Sequence, residues 1–213
     1  MSCASNLYPP LVPADGARPP RGPGWLFEPK FDGYRLEVIK DGRRVRLFSK
    51  SGAEYTDRLP GMVDAFIDMP VNSTIIDGEL CFIGGDGQAD FHRLHREMRT
   101  RWPDEDQLVF IMFDLLHRDG VDLRQLPLTE RKQDLVKLCR KSILSRMKLI
   151  QTFPEGDVLF QHCARYGFEV IVAKRVDRPY VSGPCKAWVK VKCPDWKREN
   201  SERFRMFEGS NER

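Results

Sequence analysis

The sequence predicts an α+β or mixed architecture. Three observations carry that expectation: short β-prone runs in which polar and apolar residues alternate, a continuous apolar run with the look of a buried strand, and intervening segments of helical spacing that never settle into a βαβ rhythm. The chain has 213 residues, 41% of them hydrophobic. That is enough to bury one large core or two small ones, and too apolar for disorder.

Residues 1–24 are rich in Pro and Gly and are expected to form an extended arm on the surface of a domain spanning 25–193. Within 25–48, two β-prone runs flank Asp41-Gly42, a dipeptide favoured in type I′ turns, so a hairpin is predicted. Residues 59–69 have the pattern of a short helix, weakened by Pro60 and Gly61. Residues 74–83 are β-rich and end in the turn formers Gly84-Gly85-Asp86-Gly87, and 91–101 reads as helix. The apolar run 108–116, broken only by Asp114, predicts a buried strand. Thr129 is a good N-cap for a helix whose apolar positions are Leu135, Leu138, Cys139 and Ile143, and Asp157 and Gly167 bracket another as N-cap and C′ residue. Strands over 168–174 and 187–192 complete the series, and 194–213 is a basic tail.

Composition works mainly by exclusion. No stretch approaches the ~18 apolar residues of a spanning helix, and the opening lacks the charged and apolar regions of a signal peptide. The chain therefore reads as cytoplasmic, with no membrane role. Six cysteines (Cys3, Cys81, Cys139, Cys163, Cys185, Cys193) include no C-x-x-C pair, so neither a zinc site nor a disulfide framework is indicated. A net charge of +4, from 35 basic and 31 acidic residues, is too small by itself to indicate nucleic acid. Local clusters at Arg43, Arg44 and Arg46, at Arg93, Arg96, Arg99 and Arg101, and over 186–205 carry what signal there is.

Five segments carry chemistry. In Glu28-Pro29-Lys30-Phe31-Asp32-Gly33-Tyr34-Arg35, charge gathers where one strand gives way to the next. A lysine there suits a nucleophile if neighbouring cations or desolvation favour a neutral amine; the plainer alternative is an exposed Lys beside an Asp-Gly turn. In Ile76-Asp77-Gly78-Glu79-Leu80, alternation puts Asp77 and Glu79 on one strand face and Ile76, Leu80 and Phe82 on the other. Two such carboxylates gain from a cation, a ribose hydroxyl or a basic side chain opposite them, the alternative being a solvated face. In Trp188-Val189-Lys190-Val191-Lys192, both lysines share the Trp188 face while the valines point into the core. Two ammonium groups suit a polyanion such as a triphosphate, although a basic edge strand that discourages aggregation has the same pattern. Glu169, in the apolar run that ends at Lys174, and Asp114 are carboxylates that need a partner or a metal.

Taken in order, these segments resemble the motif series of covalent nucleotidyltransferases: K-x-D-G, D-G-E, F-D, E-G-x-x-x-K and K-x-K. With the flanks Leu11-Val12-Pro13, Trp25, Phe113-Asp114-Leu115-Leu116 and Trp188-Val189-Lys190-Val191-Lys192, the likeness is greatest to bacterial ATP-dependent DNA ligases of the end-joining type, and it covers residues 8–193. The resemblance implies the covalent nucleotidyltransferase (ATP-grasp-like ligase adenylation) fold, α+β with antiparallel β-sheets flanked by helices and the nucleotide between them. It implies that Lys30 attacks the α-phosphate of ATP, that pyrophosphate leaves, and that AMP passes to a DNA 5′-phosphate before the 3′-hydroxyl displaces it, sealing nicked or broken duplex DNA in repair.

By the same resemblance Glu28 marks the adenine pocket, Asp32 and Gly33 belong with the nucleotide, and Phe113 stacks on the base. Glu79 lies near the ribose, Arg35 holds ribose or phosphate, and Lys174 closes the E-G-x-x-x-K segment as a nucleotide-binding residue. Glu169 holds Mg²⁺ or Mn²⁺, and Lys190 and Lys192 grip the α-phosphate. The sequence departs from the pattern in three places. Lys50, in Ser49-Lys50-Ser51-Gly52, stands where the family has Arg, trading a bidentate fork for a point charge. Val170 stands where the pattern has Gly, which keeps the backbone near Glu169 farther from a nucleotide. The chain ends 21 residues past Lys192, too few for the OB-fold of these ligases, so slow self-adenylylation is expected, and the chain reads as a minimal ligase, a component assisted by a partner supplying that function, or a truncated remnant. The rival readings are an RNA ligase or GTP-using capping enzyme, which share the motif skeleton, and a catalytically idle nucleotide- or DNA-binding module.

Overall fold

In chain order the elements are β1 (Leu11–Gly16), β2 (Trp25–Lys30), β3 (Tyr34–Asp41), β4 (Arg44–Ser49), α1 (Pro60–Ile67), β5 (Ser73–Phe82), α2 (Phe91–Glu97), β6 (Leu108–Arg118), β7 (Val121–Asp122), α3 (Leu128–Cys139), β8 (Met147–Leu149), α4 (Gly156–Arg165), β9 (Val170–Arg175) and β10 (Gly183–Lys192). This computed structural model describes residues 7–85, 87–139, 146–165 and 168–193. Asp86, Ile143, Gly167 and the basic tail over 194–213 lie outside the described residues. Two compact units are formed, one from residues 7–12, 31–150 and 175–185, the other from 13–30, 151–174 and 186–193. No helix among the described residues is long and apolar enough to cross a membrane.

The first unit is built on a six-stranded sheet in the order β4-β3-β5-β6-β7, with β8 beside β6. Its ladders are antiparallel except for β8, which runs parallel to β6. β5 and β6 are buried along almost their whole length, which is why they read as apolar runs with isolated acids. One sheet face packs Leu36, Val38, Ile76, Leu80, Phe110 and Met112 into a core shared with Met62 and Phe66 of α1, Leu94 of α2 and Leu135 and Leu138 of α3. The predicted hairpin is β3-β4, but its two central residues are Gly42 and Arg43. Only Gly42 has a positive φ, 57°, the pattern of a type II′ turn rather than the type I′ turn expected of Asp41-Gly42.

Two helix starts also differ from expectation. α3 begins at Leu128, so Thr129 lies inside the helix and its hydroxyl is not the cap. The N–H groups of Leu128 and Thr129 donate instead to the carbonyls of Arg178 and Val176 (both 3.1 Å), satisfying by backbone what a cap side chain would have satisfied. α4 begins at Gly156, one residue before Asp157. A Cβ on Gly156 would sit 2.4 Å from the Phe27 ring, and Asp157, in the first turn, pairs with Arg21 at 3.3 Å, where the helix dipole favours an anion.

The second unit carries a four-stranded sheet in the order β1-β10-β9-β2. One face packs Phe27, Ile171, Ala173 and Val191 against Leu159 and Cys163 of α4. β1 comes from the Pro-rich arm and forms the edge of this sheet, where a strand tolerates Pro. The described cysteines are free thiols. Burial pushes Cys139 up to about 11 and Cys163 up to about 12, so neither is a thiolate at neutral pH.

Candidate functional site

The K-x-D-G segment straddles the break between β2 and β3, with Lys30 ending the strand in the second unit and Asp32 and Gly33 opening the first. The 25–48 region therefore supplies one strand of the second unit's sheet, β2, ahead of the predicted hairpin β3-β4. Gly33 is required by contact: a Cβ there would lie 2.2 Å from the Leu80 carbonyl oxygen and 2.9 Å from Cγ of Glu79.

In the second unit, alternation along β2 and β10 assembles the predicted residues on one sheet face. Phe27 points to α4, so Glu28 and Lys30 lie on the opposite face. Glu28 and Lys174 are 3% and 2% exposed, and their carboxylate and ammonium meet at 2.6 Å. Trp188, directly opposite Lys174 in the ladder, places its ring centroid 3.8 Å from Lys174 Nζ. The buried ammonium is thus held by a carboxylate and an aromatic face together. Two and four residues on, Lys190 and Lys192 stand on the same face, opposite Val172 and Val170. Lys190 is half-buried and meets Asp15 of β1 at 3.2 Å. Glu169 lies just before β9, where its carbonyl accepts the Cys193 N–H (2.9 Å). Among the described residues no cluster of three or more His, Cys, Asp or Glu is arranged to hold a metal.

In the first unit, Arg35 and Glu79 face each other across β3-β5, as do Glu37 and Asp77, so all four share a face. The basic side chain expected opposite the two acids of the D-G-E segment is Arg35. Its Nε and Nη2 donate to the two Asp77 oxygens at 2.9 and 2.6 Å, Nη1 donates to the Leu11 carbonyl, and Nη2 also donates to the Tyr180 hydroxyl at 3.2 Å. Four of its five N–H groups thus face protein acceptors, which makes Arg35 more a positioning residue than a free phosphate ligand. The guanidinium lies 5.3 Å from the Phe113 ring centroid. Phe113 itself is the extra residue of a β-bulge, since Asp77 pairs with Asp114 while Gly78 pairs with Met112. A bulge re-aims one side chain of a strand, and here it turns Phe113 toward Arg35. Lys50 is exposed and lines an open pocket of about 350 Å³ with Tyr34, Arg35, Ser49 and Ser51.

Three contributors had no motif to reveal them. Tyr180 is buried, donates to Asp77 Oδ2 at 2.7 Å and accepts the Leu11 N–H at 3.0 Å. Arg131 of α3 is the partner of Asp114. Glu37 is the third carboxylate beside a single arginine. Burial pushes its carboxyl up to about 8, with the Asp77 charge adding to the shift and the Tyr8 N–H bond (2.9 Å) opposing it.

That shift has a sign. The unfolded carboxyl loses its proton near 4.5 and the folded one near 8, so in between the native state binds the extra proton and stability falls as pH rises. Urea midpoints at pH 5 and pH 8.5 are expected to differ by on the order of 3 kcal/mol in unfolding free energy from this group. Glu37→Gln should erase most of the difference, and an unchanged difference would mean that Glu37 is ionised in the fold.

A family model described as an ATP dependent DNA ligase domain matches residues 18–192. The multifunctional non-homologous end joining protein LigD of Pseudomonas aeruginosa is 33% identical over 179 residues, covering 83% of this chain and 21% of the relative. A probable DNA ligase of Mycolicibacterium vanbaalenii is 36% identical over 175 residues, covering 78% of this chain and 32% of the relative. The chain thus spans a third or less of these curated relatives. Among solved structures, the ligase domain of M. tuberculosis LigD superposes with a TM-score of 0.74 at 26% identity, over 90% of this chain and 61% of that one. A mycobacterial DNA ligase D complexed with ATP and MES gives the same TM-score at 27% identity, over 90% and 62%.

Proposed function

The chain belongs to the family of ATP-dependent DNA ligase domains, and from that premise we propose that it activates DNA 5′-ends through a Lys30-AMP intermediate. The Lys30 amine forms a bond to the α-phosphorus of ATP and gives up a proton as the bond to pyrophosphate breaks. A 5′-phosphate oxygen of nicked or broken duplex DNA then takes the AMP, breaking the P–N bond. Finally the neighbouring 3′-hydroxyl attacks the 5′-phosphate and AMP departs. The reaction is placed in the cytoplasm, in repair or end joining.

The observation that carries this reading is the sheet face on which Glu28, Lys30, Lys174, Lys190 and Lys192 stand together. Its acid and one lysine are locked in a buried pair, which positions the strands, while Lys190 and Lys192 are set to hold the α-phosphate as charge develops on it. In the first unit Phe113 offers a ring for the base, backed by the Arg35-Asp77-Tyr180 network, and Glu79 is the candidate ribose contact beside Gly33.

Glu169 is the residue proposed to meet Mg²⁺ or Mn²⁺. One protein carboxylate suits Mg²⁺, which keeps waters and binds through substrate phosphates rather than in an all-protein cage. When bound, such an ion neutralises triphosphate charge.

The test is incubation of the purified chain with α-labelled ATP and Mg²⁺ or Mn²⁺, followed by denaturing electrophoresis. Label that survives denaturation, with none taken from GTP, is the expected result. Label from GTP would turn the reading to a capping-type enzyme, and no label together with failure to seal a pre-adenylylated nick would overturn it. Lys190→Ala and Lys192→Ala should each slow labelling about 10²-fold. Neither is a fully buried side chain, so their unfolding midpoints should match the wild type.

A further inference from the structure

The first unit carries a charged surface that the nucleotide chemistry leaves unused. α2 starts where Asp90 Oδ1 accepts the Arg93 N–H at 2.9 Å, and it buries Leu94 and, a turn later, Met98. His92, His95 and Arg96 consequently fall at i, i+3 and i+4 on its exposed side, and Arg99 is exposed in the turn that follows. The segment beyond is anchored, because the Arg58 guanidinium donates to the carbonyls of Met98 and Thr100, which the end of a helix leaves unsatisfied. It presents Trp102, 64% exposed, with the Arg101 guanidinium 5.5 Å from the ring centroid.

Most acids of the same stretch, Glu97 apart, are occupied in structure. Asp90 caps α2, Glu105 accepts the N–H groups of Gly61 and Met62 at the start of α1 (2.8 and 2.7 Å), and Asp106 meets Arg146 at 3.3 Å. Among the described residues no ion pair engages Arg96, Arg99 or Arg101. The ridge also adjoins the Lys50 pocket through Tyr34, which lines that pocket and whose hydroxyl hydrogen-bonds His95 Nδ1 at 2.6 Å.

We propose that this ridge binds a single-stranded polynucleotide segment, with phosphates on Arg96 and Arg99 and an unpaired base on Trp102. Planar guanidinium forks match phosphate oxygens, and an indole with arginine at one face leaves the other for a base. The faces of duplex bases are already stacked, so a prominent tryptophan fits an unpaired end rather than the body of a duplex. The inference rests on the DNA-ligating reading above, for which it names the form of substrate: duplex ends with single-stranded extensions.

Fluorescence anisotropy of the full chain against a blunt duplex and the same duplex with an overhang, over a salt series, tests it. The overhang is expected to bind more tightly. Trp102→Ala should weaken overhang binding about tenfold and leave the blunt duplex unchanged. Arg96→Ala/Arg99→Ala should lower the salt slope for the overhang by about 1.4, two phosphates at ~0.7 each. Both variants should keep wild-type self-adenylylation and unfolding midpoints. Wild-type overhang affinity in Trp102→Ala, or an unaltered salt slope in the arginine variant, overturns the proposal. If the chain takes no label from ATP while Trp102→Ala still selectively loses overhang binding, the ridge stands and the ligase reading falls.

Discussion

Lys30→Ala and Lys30→Arg proteins will take up no label from α-labelled ATP, a loss of at least a thousandfold against the wild type. The argument lies in the difference between charge and nucleophilicity. A P–N bond needs an amine lone pair, which a lysine can supply once deprotonated, whereas a guanidinium remains protonated at any working pH. Lys30→Arg therefore keeps the attraction for phosphate and loses the chemistry. Its unfolding midpoint should still rise on addition of ATP, because ligand binding to the native state stabilises it whether or not a bond follows. The fold should tolerate either change. β2 is fixed by Phe27 in the core on one face and by the buried Glu28-Lys174 pair on the other, and Lys30, at the end of the strand, is only partly buried. Denaturing electrophoresis beside thermal unfolding with and without ATP separates the two effects. Label retained by Lys30→Arg would move the nucleophile to another lysine, with Lys190 and Lys192 the first to test.

Much of this architecture was legible because the physics was local. Alternation along 187–192 places Trp188, Lys190 and Lys192 on one face, and the acid in the apolar run at Asp114 called for a partner or a metal, the partner being Arg131. A Gly at the hairpin predicted the turn, although not which two residues would be central. What the sequence hid were contacts made at long range or by the backbone. β1 lies in a segment read as an extended surface arm because it is rich in Pro and Gly, and its place at a sheet edge reconciles Pro13 and Gly16 with a strand. Thr129 and Asp157 looked like caps because cap chemistry is local, while the carbonyls of Val176 and Arg178 that take over at α3 come from a loop 47 or more residues along the chain. Tyr180 sits in such a loop with no periodicity around it. Arg131 did leave a trace: Leu128, Arg131, Leu135 and Leu138 follow the apolar spacing of a helix, and a charged residue on a buried stripe calls for a buried counter-charge.

That pair is where the largest loss of stability is expected. Arg131→Met should cost about 3–5 kcal/mol, read as a fall in the urea midpoint with the slope unchanged. Asp114 and Arg131 are both fully buried. Arg131 Nε and Nη2 donate to the two Asp114 oxygens at 2.8 and 2.9 Å, and Nη1 donates to the Leu126 and Arg178 carbonyls at 2.7 and 3.2 Å. Remove the guanidinium, and among the described residues the carboxylate keeps the Leu115 N–H alone (2.9 Å), leaving a charge in a buried site. Removing both charges is a different matter, because neither partner is then left unpaired. Asp114→Leu/Arg131→Met should recover most of the loss. The consequence reaches the site through two routes. Asp114 follows the bulged Phe113, and the Arg178 carbonyl lies two residues before Tyr180, so Arg131 ties the base-stacking candidate and the Arg35-Asp77-Tyr180 network to the same helix. Arg131→Met should therefore weaken ATP binding even at temperatures where it is folded, and the double variant should regain stability while recovering nucleotide affinity only in part, since the Arg178 carbonyl stays without its donor. A single variant within about 1 kcal/mol of the wild type would mean that Asp114 is protonated or hydrated once its partner is gone, and the coupling drawn here between α3 and the site would fail with it.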